Sequence, residues 1–380
     1  GPNDDTVLLQ KTDEGVMASV DLDPLSFTTF KKGNTLTLDG QRSDTLLLEN
    51  DLIKYEFDGK GSLISTYDKE LEREFMSGPG NVLSLYEDRP NNWDAWDVDF
   101  FYRDALIETA EVTESLSISD GDVVKQLRFV FKIGHSTIEQ IVSLNPHSKR
   151  LDFLTQVDWK ENHKMLRVHF PVNIRSEQAS FDIQYGHVRR NTHRNTSWDK
   201  AKFEVVGHKY ADLSDHDNGV ALLNDCKYGY MVHDDLLDLN LLRSPSNPDP
   251  DADKGSHTFT YSLLPHHNDL IHSNVISESS CLNQEPLLFE GMKSEIDIPL
   301  KLIGDGLELS VLKKAEKEDA WILRVVETHG RVSSGSVQFN GEVTECDLME
   351  WNELGESQTI EGSLELTLDP FEIRTYKVTY

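Results

Sequence analysis

The stretch VVKQLRFVFKIGHSTIEQIVSL, residues 123–144, decides the fold class of this chain of 380 residues. Apolar and polar side chains alternate through 123–133 and again through 136–144, and a glycine-containing turn separates the two runs. A period of two places successive side chains on opposite faces of a β-strand. The stretch therefore predicts two half-buried strands.

The same alternation recurs along most of the chain. Further strands are predicted at 52–57, 63–68, 151–159, 165–172, 219–225, 257–265 and 363–368. The segment FDGKGSL, residues 57–63, joins two of these runs and is typical of a hairpin turn. The best helical candidate, VLKKAEKED at 311–319, is short and mostly polar. We therefore predict an all-β protein built from stacked sheets.

Composition divides the chain into three predicted segments. Residues 1–45 form a small β segment, and its leading Gly-Pro-Asn is typical of a cleaved expression tag. Residues 46–285 are too many for a simple sandwich, and they predict a two-layer sheet with many strands in each layer. Residues 286–380 have the length of one small β-sandwich.

Charge limits the classes of partner that the chain can bind. There are 37 basic and 67 acidic residues, which gives a net charge of −30. Such a surface repels both nucleic-acid phosphates and anionic membranes. No apolar run approaches the roughly 18 residues that a membrane span requires. We therefore expect no nucleic-acid partner and no membrane partner.

The cysteines predict a compartment. Cys226, Cys281 and Cys346 are far apart in the sequence and odd in number. That spacing argues against a disulfide framework and favours a reducing environment. With no signal peptide at the start, the expected location is cytoplasmic.

The segment RPNNWDAWDVDFFYRD, residues 89–104, is the strongest candidate for a binding site. Tryptophan faces stack on the apolar face of a sugar ring, while carboxylates and amides bond to its hydroxyls. The alternative is a capped loop, in which the tryptophans plug the edge of a core and the polar groups satisfy turn amides. Spacing within a loop does not establish a glycosidase pair of carboxylates. The candidate substrate-binding residues here are Asn91, Asn92, Trp93, Asp94, Trp96 and Asp97.

Residues 184–204 gather arginine, histidine and lysine within an acidic chain. This local inversion of charge predicts either a docking surface for an acidic neighbour or a solvated loop whose arginines pair with carboxylates. The sequence leaves both interpretations open.

Two patterns resemble metal sites without completing one. Asp249, Asp251 and Asp253 alternate as in a calcium loop, but Lys254 stands where such a loop has glycine. Histidine and aspartate also occur together at 233–235 and 266–269, without the three convergent ligands of catalytic zinc. We predict no metal site in this chain.

Four long segments of the chain carry a family resemblance: LYEDRPNNWDAWDVD (85–99), YGHVRRNTHRNTSWDKAKFEVVGHKYADLSD (185–215), GVALLNDCKYGYMV (219–232) and LLRSPSNPDPDADKGSHTFTYSLLPH (241–266). They resemble glycoside hydrolase family 38, the class II α-mannosidases. They are similar to the C-terminal β-rich part of the family, and most similar to its cytosolic-type branch. The resemblance implies a large supersandwich of the galactose-mutarotase type, flanked by smaller β-sandwich segments.

The resemblance also implies a reaction and a division of labour. Members of the family remove α-linked mannose with retention of configuration, through an N-terminal catalytic domain that carries zinc, a nucleophilic aspartate and the acid/base. The family's glycine-histidine-x-histidine-x-aspartate zinc motif is absent from this sequence. We therefore expect this chain to be a C-terminal part of an α-mannosidase that carries no cofactor and no catalytic residues. Alone it should be inactive, and its expected partner is its own catalytic domain.

In the family, loops of the β region close over the mannose pocket of the catalytic domain. Residues 91–97 and Arg243 lie in the matching segments, so Arg243 joins the candidate substrate-binding residues. The expected ligand is a mannose-containing oligosaccharide at the rim of that pocket. Whether a second copy of the chain is a further partner stays open. The alternatives are a free-standing carbohydrate-binding module and a mutarotase-like enzyme, in which His193 or His266 transfers protons with a carboxylate.

Overall fold

A computed structural model of the protein describes residues 9–12, 15–20, 22, 28, 37–39, 45–291 and 300–379. The chain divides by its internal contacts into two units. Unit 1 comprises 1–20, 33–182 and 189–286, and unit 2 comprises 21–32, 183–188 and 287–380. Most of the predicted segment 1–45 lies outside the described residues, and the division at 45 and 285 stays a prediction.

Strands make up most of the described structure, which confirms the all-β prediction. Up to residue 267 the strands are β1 (Leu9–Thr12), β2 (Gly15–Ala18), β3 (Thr37–Asp39), β4 (Leu47–Glu49), β5 (Ile53–Phe57), β6 (Leu63–Asp68), β7 (Arg73–Glu74), β8 (Val82–Glu87), β9 (Leu106–Thr109), β10 (Glu111–Asp120), β11 (Lys125–Ile133), β12 (Ser136–Leu144), β13 (Leu151–Trp159), β14 (Lys164–Pro171), β15 (Gln178–Ile183), β16 (Gly186–Asn191), β17 (Val205–Val206), β18 (Tyr210–Ser214), β19 (Asn218–Asn224), β20 (Gly229–His233), β21 (Leu236–Arg243) and β22 (Gly255–His267). After residue 300 they are β23 (Lys301–Ile303), β24 (Leu307–Lys314), β25 (Trp321–Glu327), β26 (Ser333–Cys346), β27 (Gln358–Leu368) and β28 (Ile373–Thr379).

Helices are short and few among the described residues. They are α1 (Ser197–Ala201), α2 (Val275–Asn283) and the 3-10 helices Phe100–Ala105 and Leu270–His272. The weak helical candidate 311–319 is instead the end of β24 and the turn that follows it. No helix within the described ranges has the length and apolar character needed to cross a membrane.

Residues 123–144 form the antiparallel pair β11 and β12, as their alternation predicts. Phe131 lies opposite Ile138 in the register, and both are almost fully buried. Lys132 and Thr137, one position along each strand, are exposed. Gly134 makes the turn between the strands with a φ of +56°, a left-handed conformation that glycine adopts without strain.

Three sheets enclose the core of unit 1. Their strand orders are β10-β11-β12-β13-β22-β19-β18-β15-β16, β17-β20-β21-β14-β8-β9 and β4-β5-β6-β7. Aromatic rings bridge them. The Phe153 ring of β13 lies 5.8 Å from Phe170 of β14, and Phe57 of β5 lies 5.5 Å from Phe129 of β11. The core therefore lies between stacked sheets, each burying one face.

The six-stranded sheet that contains β14 has a second, partly polar face. Leu166, Val168 and Phe170 of β14 are fully buried on the core side. Because side chains alternate along a strand, Met165 and Arg167 point to the opposite face. They are also buried, so this outer face is covered.

Unit 2 contains one sheet in the order β23-β26-β28-β25-β24, with β27 paired to β26. Its core is a cluster of buried aliphatic and aromatic side chains from the strands, such as Leu323, Val337, Phe339 and Leu368. The long strand β26 pairs with β27 along most of its length and with β28 at its C-terminal end.

Candidate functional site

Residues 88–105, between β8 and β9, form the candidate site and are called the aromatic loop. Trp93 and Trp96 are each 71% exposed, and Phe101 is 67% exposed. Large rings left in water are unusual and commonly mark a surface that meets a ligand or a partner. The tryptophans therefore do not plug the edge of a core.

Both tryptophans lie on one tight turn. Trp93 has a φ of 59°, and its carbonyl accepts bonds from the amides of Trp96 (2.8 Å) and Asp97 (2.9 Å). A left-handed conformation costs a bulky residue about 1–3 kcal/mol, and such residues cluster at functional sites. The surrounding contacts must therefore hold this turn in place.

Arg243, at the end of β21, is the main anchor of the loop. Its guanidinium donates from Nε and Nη2 to the two carboxylate oxygens of Asp88, at 2.7 and 3.0 Å. Nη2 also donates to the carbonyls of Asp94 (3.2 Å) and Asp97 (2.7 Å). The planar fork of arginine makes these directional bonds, which an ammonium group does not reproduce.

Asp94 is the second anchor. One carboxylate oxygen accepts bonds from the amides of Ser246 (2.7 Å) and Asn247 (3.0 Å). The other lies 3.4 Å from Nδ1 of His163. This side chain therefore ties the loop to the segment that follows β21.

The predicted site residues consequently separate into two groups. Asn91, Asn92, Trp93, Trp96 and Asp97 are exposed. Arg243 and Asp94 use their charged groups to position the loop. Direct contact of any of these residues with a sugar stays a prediction.

Replacement of Arg243 by methionine is expected to loosen the aromatic loop. Asp88, whose side chain is only 2% exposed, would lose its bidentate partner, at a cost of about 2 kcal/mol. Hydrogen exchange of residues 88–105 should accelerate, while exchange in β13 should not change. Arg243→Lys should show an intermediate rate, and a wild-type rate in the methionine variant would exclude the anchoring role.

A largely buried network of five polar residues extends from the aromatic loop to the sheet: Tyr102, Arg103, Arg167, Glu204 and Asp238. The Arg167 Nε lies 2.6 Å from Oδ1 of Asp238, and the Arg103 Nη1 lies 3.1 Å from its Oδ2. Arg167 also contacts Glu204 at 3.1 Å, and the Tyr102 hydroxyl donates to Glu204. The network joins the 3-10 helix of the loop to β14, β21 and the residue before β17.

Burial and charge oppose each other within this network. Burial raises the pKa of Glu204, and Arg167 works against that shift. Burial disfavours the charge of Arg167, but Asp238 and Glu204 outweigh it and raise the pKa of the guanidinium. Two arginines face two carboxylates, so the network is balanced only while every partner is present.

The basic segment noted in the sequence packs on the aromatic loop. Arg194 and Lys200 lie over the Phe100 ring, at 5.6 and 4.9 Å from its centroid, and the Phe203 ring meets it at 5.3 Å. A capping box between Thr196 and Asp199 starts α1 at this place. Arg194 and Lys200 thus make cation–π contacts with the aromatic loop. Neither interpretation of the sequence, a docking surface or a loop of arginine–carboxylate pairs, predicted this role.

The structure also places the histidines of the mutarotase-like alternative. His266 Nε2 lies 2.8 Å from Oδ1 of Asp212, and both side chains are essentially inaccessible to solvent. His193 lies 3.7 Å from Asp199 and is partly exposed. The buried His266 pair has no face open to a sugar, so it does not support proton transfer to one.

Sequence reasoning missed the buried network. Its signal is an ionisable residue inside an apolar run, as with Asp238 in LLDLNLL (236–242) and Arg167 in MLRVHF (165–170). Such a residue on a buried strand requires a paired partner. The identity of the partner is not visible in the sequence.

Two family models match this chain. Residues 48–251 match the glycosyl hydrolases family 38 C-terminal domain, and residues 306–376 match the glycosyl hydrolases family 38 C-terminal beta sandwich domain.

Curated relatives cover most of the chain. It is 37% identical over 360 residues to alpha-mannosidase G of Dictyostelium discoideum, a match of 88% of this chain and 32% of that protein. It is 36% identical over 344 residues to alpha-mannosidase 2C1 of Homo sapiens, covering 87% of this chain and 33% of that protein. The chain thus spans about a third of the length of these relatives.

A solved structure shows the same fold. The alpha-mannosidase from Enterococcus faecalis V583 superposes with a TM-score of 0.70 at 17% identity, over 91% of this chain and 44% of that one.

Proposed function

This chain belongs to glycoside hydrolase family 38, and on that premise we propose that it is the C-terminal, non-catalytic β region of an α-mannosidase. The relatives that carry the α-mannosidase name are about three times as long as the part that matches. Within the described ranges no group of three His, Cys, Asp or Glu side chains is placed to hold a metal ion. The proposal assigns zinc, nucleophile and acid/base to a separate catalytic domain.

The role proposed for the aromatic loop is to form part of the rim of the mannose pocket. The exposure of Trp93 and Trp96 on an anchored turn is the observation that carries this proposal. Each indole offers a flat apolar face to the C–H face of a sugar ring. Asn91, Asn92 and Asp97 are near neighbours that can bond to hydroxyls, while Arg243 holds the turn.

The proposed partners follow from the same role. They are the protein's own catalytic domain and a mannose-containing oligosaccharide, which the loop contacts at the rim of the pocket. The three cysteines are free in the structure, which supports the proposal of a reducing, cytoplasmic setting.

Alanine at Trp93 and Trp96 is the direct test, made in the intact α-mannosidase polypeptide. Loss of one stacked ring removes about 1–1.5 kcal/mol of binding, so each variant should lose about tenfold in kcat/KM. The assay is hydrolysis of a mannose-containing oligosaccharide with zinc present.

The matched control is Trp321→Ala, which removes a partly exposed tryptophan of unit 2. It should leave kcat/KM unchanged. Wild-type kinetics in both loop variants would exclude the rim role without affecting the family assignment.

An anchored loop with two exposed tryptophans also favours a second candidate, a carbohydrate-binding module that acts alone. Titration of this chain with mannosides separates the two. Binding that is lost in Trp93→Ala, without any catalytic domain present, would favour the module.

A further inference from the structure

A second exposed apolar surface lies in unit 2, in the turn between β26 and β27, and the proposed function does not use it. Within residues 347–354, called the 347–354 loop, Leu348, Met349, Trp351 and Leu354 are 55%, 60%, 61% and 64% exposed. Water-exposed clusters of this kind mark interaction sites. Tryptophan and methionine are also enriched where protein partners meet.

Hydrogen bonds within the loop hold its backbone in one arrangement. The Asp347 carboxylate accepts bonds from the amide of Trp351 (2.9 Å) and from Nδ2 of Asn352 (2.6 Å). The bond from the Trp351 amide, followed by that from Asn352, lowers the pKa of Asp347. Leu354 donates its amide to the carbonyl of Glu345 at 2.8 Å, which returns the chain to the sheet.

Arg324 of β25 fixes the loop from the side of the sheet. Its Nη2 donates to the carbonyl of Leu348 at 3.0 Å and contacts the Glu350 carboxylate at 3.3 Å. Lys313 reaches the same carboxylate at 3.0 Å. These contacts restrain the backbone of the loop in the free protein, so less conformational entropy remains to be lost on binding.

Charge identifies the kind of partner. Residues 345–361 contain six acidic residues and no lysine, arginine or histidine. Glu353 and Glu356, beside the apolar side chains, are exposed, although the Glu353 carboxylate lies 3.8 Å from the Lys377 ammonium. One face of the Trp351 ring already receives a cation, the Lys317 ammonium at 4.3 Å. A partner that supplies further cations would complement this surface.

We propose that the 347–354 loop binds a protein partner that offers an apolar pocket bordered by lysine or arginine. Trp351 and Leu354 enter the pocket, and Glu356 pairs with its basic border. A second copy of the chain fits poorly, because it would bring two acidic loops together on a protein with a net charge of −30.

The test uses two amphipathic helical peptides of equal length, one of leucine and lysine and one of leucine and glutamate. The leucine–lysine peptide should bind this chain and protect residues 345–357 from hydrogen exchange. The leucine–glutamate peptide should not bind. Trp351→Ala and Leu354→Ala should each weaken binding about tenfold, and Glu356→Lys should reduce both the affinity and its dependence on salt.

The control variant is Val332→Ala, an apolar side chain of unit 2 that is 62% exposed but outside the loop. It should bind the leucine–lysine peptide like the wild type, and circular dichroism should show that all variants are folded. Equal binding of both peptides, no binding of either, or no effect of Trp351→Ala would each overturn the proposal.

Two competing occupants give distinct results. If a second copy covers the loop, sedimentation will show a concentration-dependent dimer that Trp351→Ala abolishes. If the rest of an intact α-mannosidase covers it, residues 345–357 will exchange more slowly in that longer polypeptide than in this chain. Either result would replace the proposed basic partner.

Discussion

Replacement of Asp238 by alanine is expected to lower the free energy of unfolding of unit 1 by about 3–5 kcal/mol. The Asp238 side chain is fully buried and bonds to both Arg167 and Arg103. Its loss would leave the Arg167 guanidinium, only 1% exposed, with a single carboxylate partner in Glu204. Urea denaturation followed by circular dichroism measures the change. Hydrogen exchange of β14 and β21 locates it.

Two further variants separate charge from packing. Asp234→Asn removes the charge of a carboxylate that is 70% exposed in the turn between β20 and β21, and asparagine tolerates the φ of 52° at this position, so stability should change by less than about 0.5 kcal/mol. The double variant Arg167→Met with Asp238→Leu should recover part of the loss, because it removes a buried charge together with its partner. A loss below about 1 kcal/mol in Asp238→Ala would contradict the view that the network supports the aromatic loop.

Glu327→Ala is expected to have an effect of similar size on unit 2. The side chain of Glu327 is fully buried at the end of β25. One oxygen accepts bonds from the His329 amide (2.9 Å) and the Ser333 hydroxyl (3.0 Å), and the other from the amides of Gly330 (2.8 Å) and Phe371 (2.9 Å). Each buried donor left without an acceptor costs about 1–3 kcal/mol, so partial relaxation leaves a loss of about 3–4 kcal/mol.

The measurement is hydrogen exchange of β25 and β28 together with urea denaturation. Glu327→Gln keeps one acceptor oxygen and turns an NH2 group towards N–H donors, so it should lose about half as much. The control Glu365→Ala removes an exposed carboxylate of β27 and should be close to neutral. Wild-type stability in Glu327→Ala would show that water replaces the carboxylate at no cost.

Strands with clear alternation could be predicted to the residue. β12 and β13 begin and end where the pattern placed them, at 136–144 and 151–159. Each has one face in the core and one outside it, so the pattern of apolar residues alone identifies the strand. β22 was predicted two residues too short at each end, at 257–265, because Gly255 and Ser256 at its start and His266 and His267 at its end carry no apolar signal.

The short helices have weaker signals in the sequence than the strands. α1 is one turn long, and its only local signal is the capping pair Thr196 and Asp199. α2 has only two buried side chains, Val275 and Ser279, which is too little for a detectable apolar stripe. Tertiary contacts hold both helices in place rather than local propensity.

The candidate site was even less predictable from the sequence than the short helices. Residue types identified the tryptophans and the surrounding carboxylates as a candidate. Nothing in the sequence told apart the residues that face solvent from those that anchor the loop. That distinction depends on Arg243, whose partners Asp88 and Asp97 are 155 and 146 positions away along the chain. Long-range pairing of this kind follows from sheet topology, which alternation does not encode.

The position of β22 has a consequence for how the protein is made. This strand lies between β13 and β19 in the nine-stranded sheet, although the ribosome delivers it after both. Until residues 255–267 leave the ribosomal exit tunnel, β13 and β19 each have an unpaired edge with which other nascent chains can pair. The sheet closes late and slowly. We therefore expect the soluble yield to rise with chaperone supply during translation. Truncation before residue 255 removes the strand that joins the two halves of the sheet.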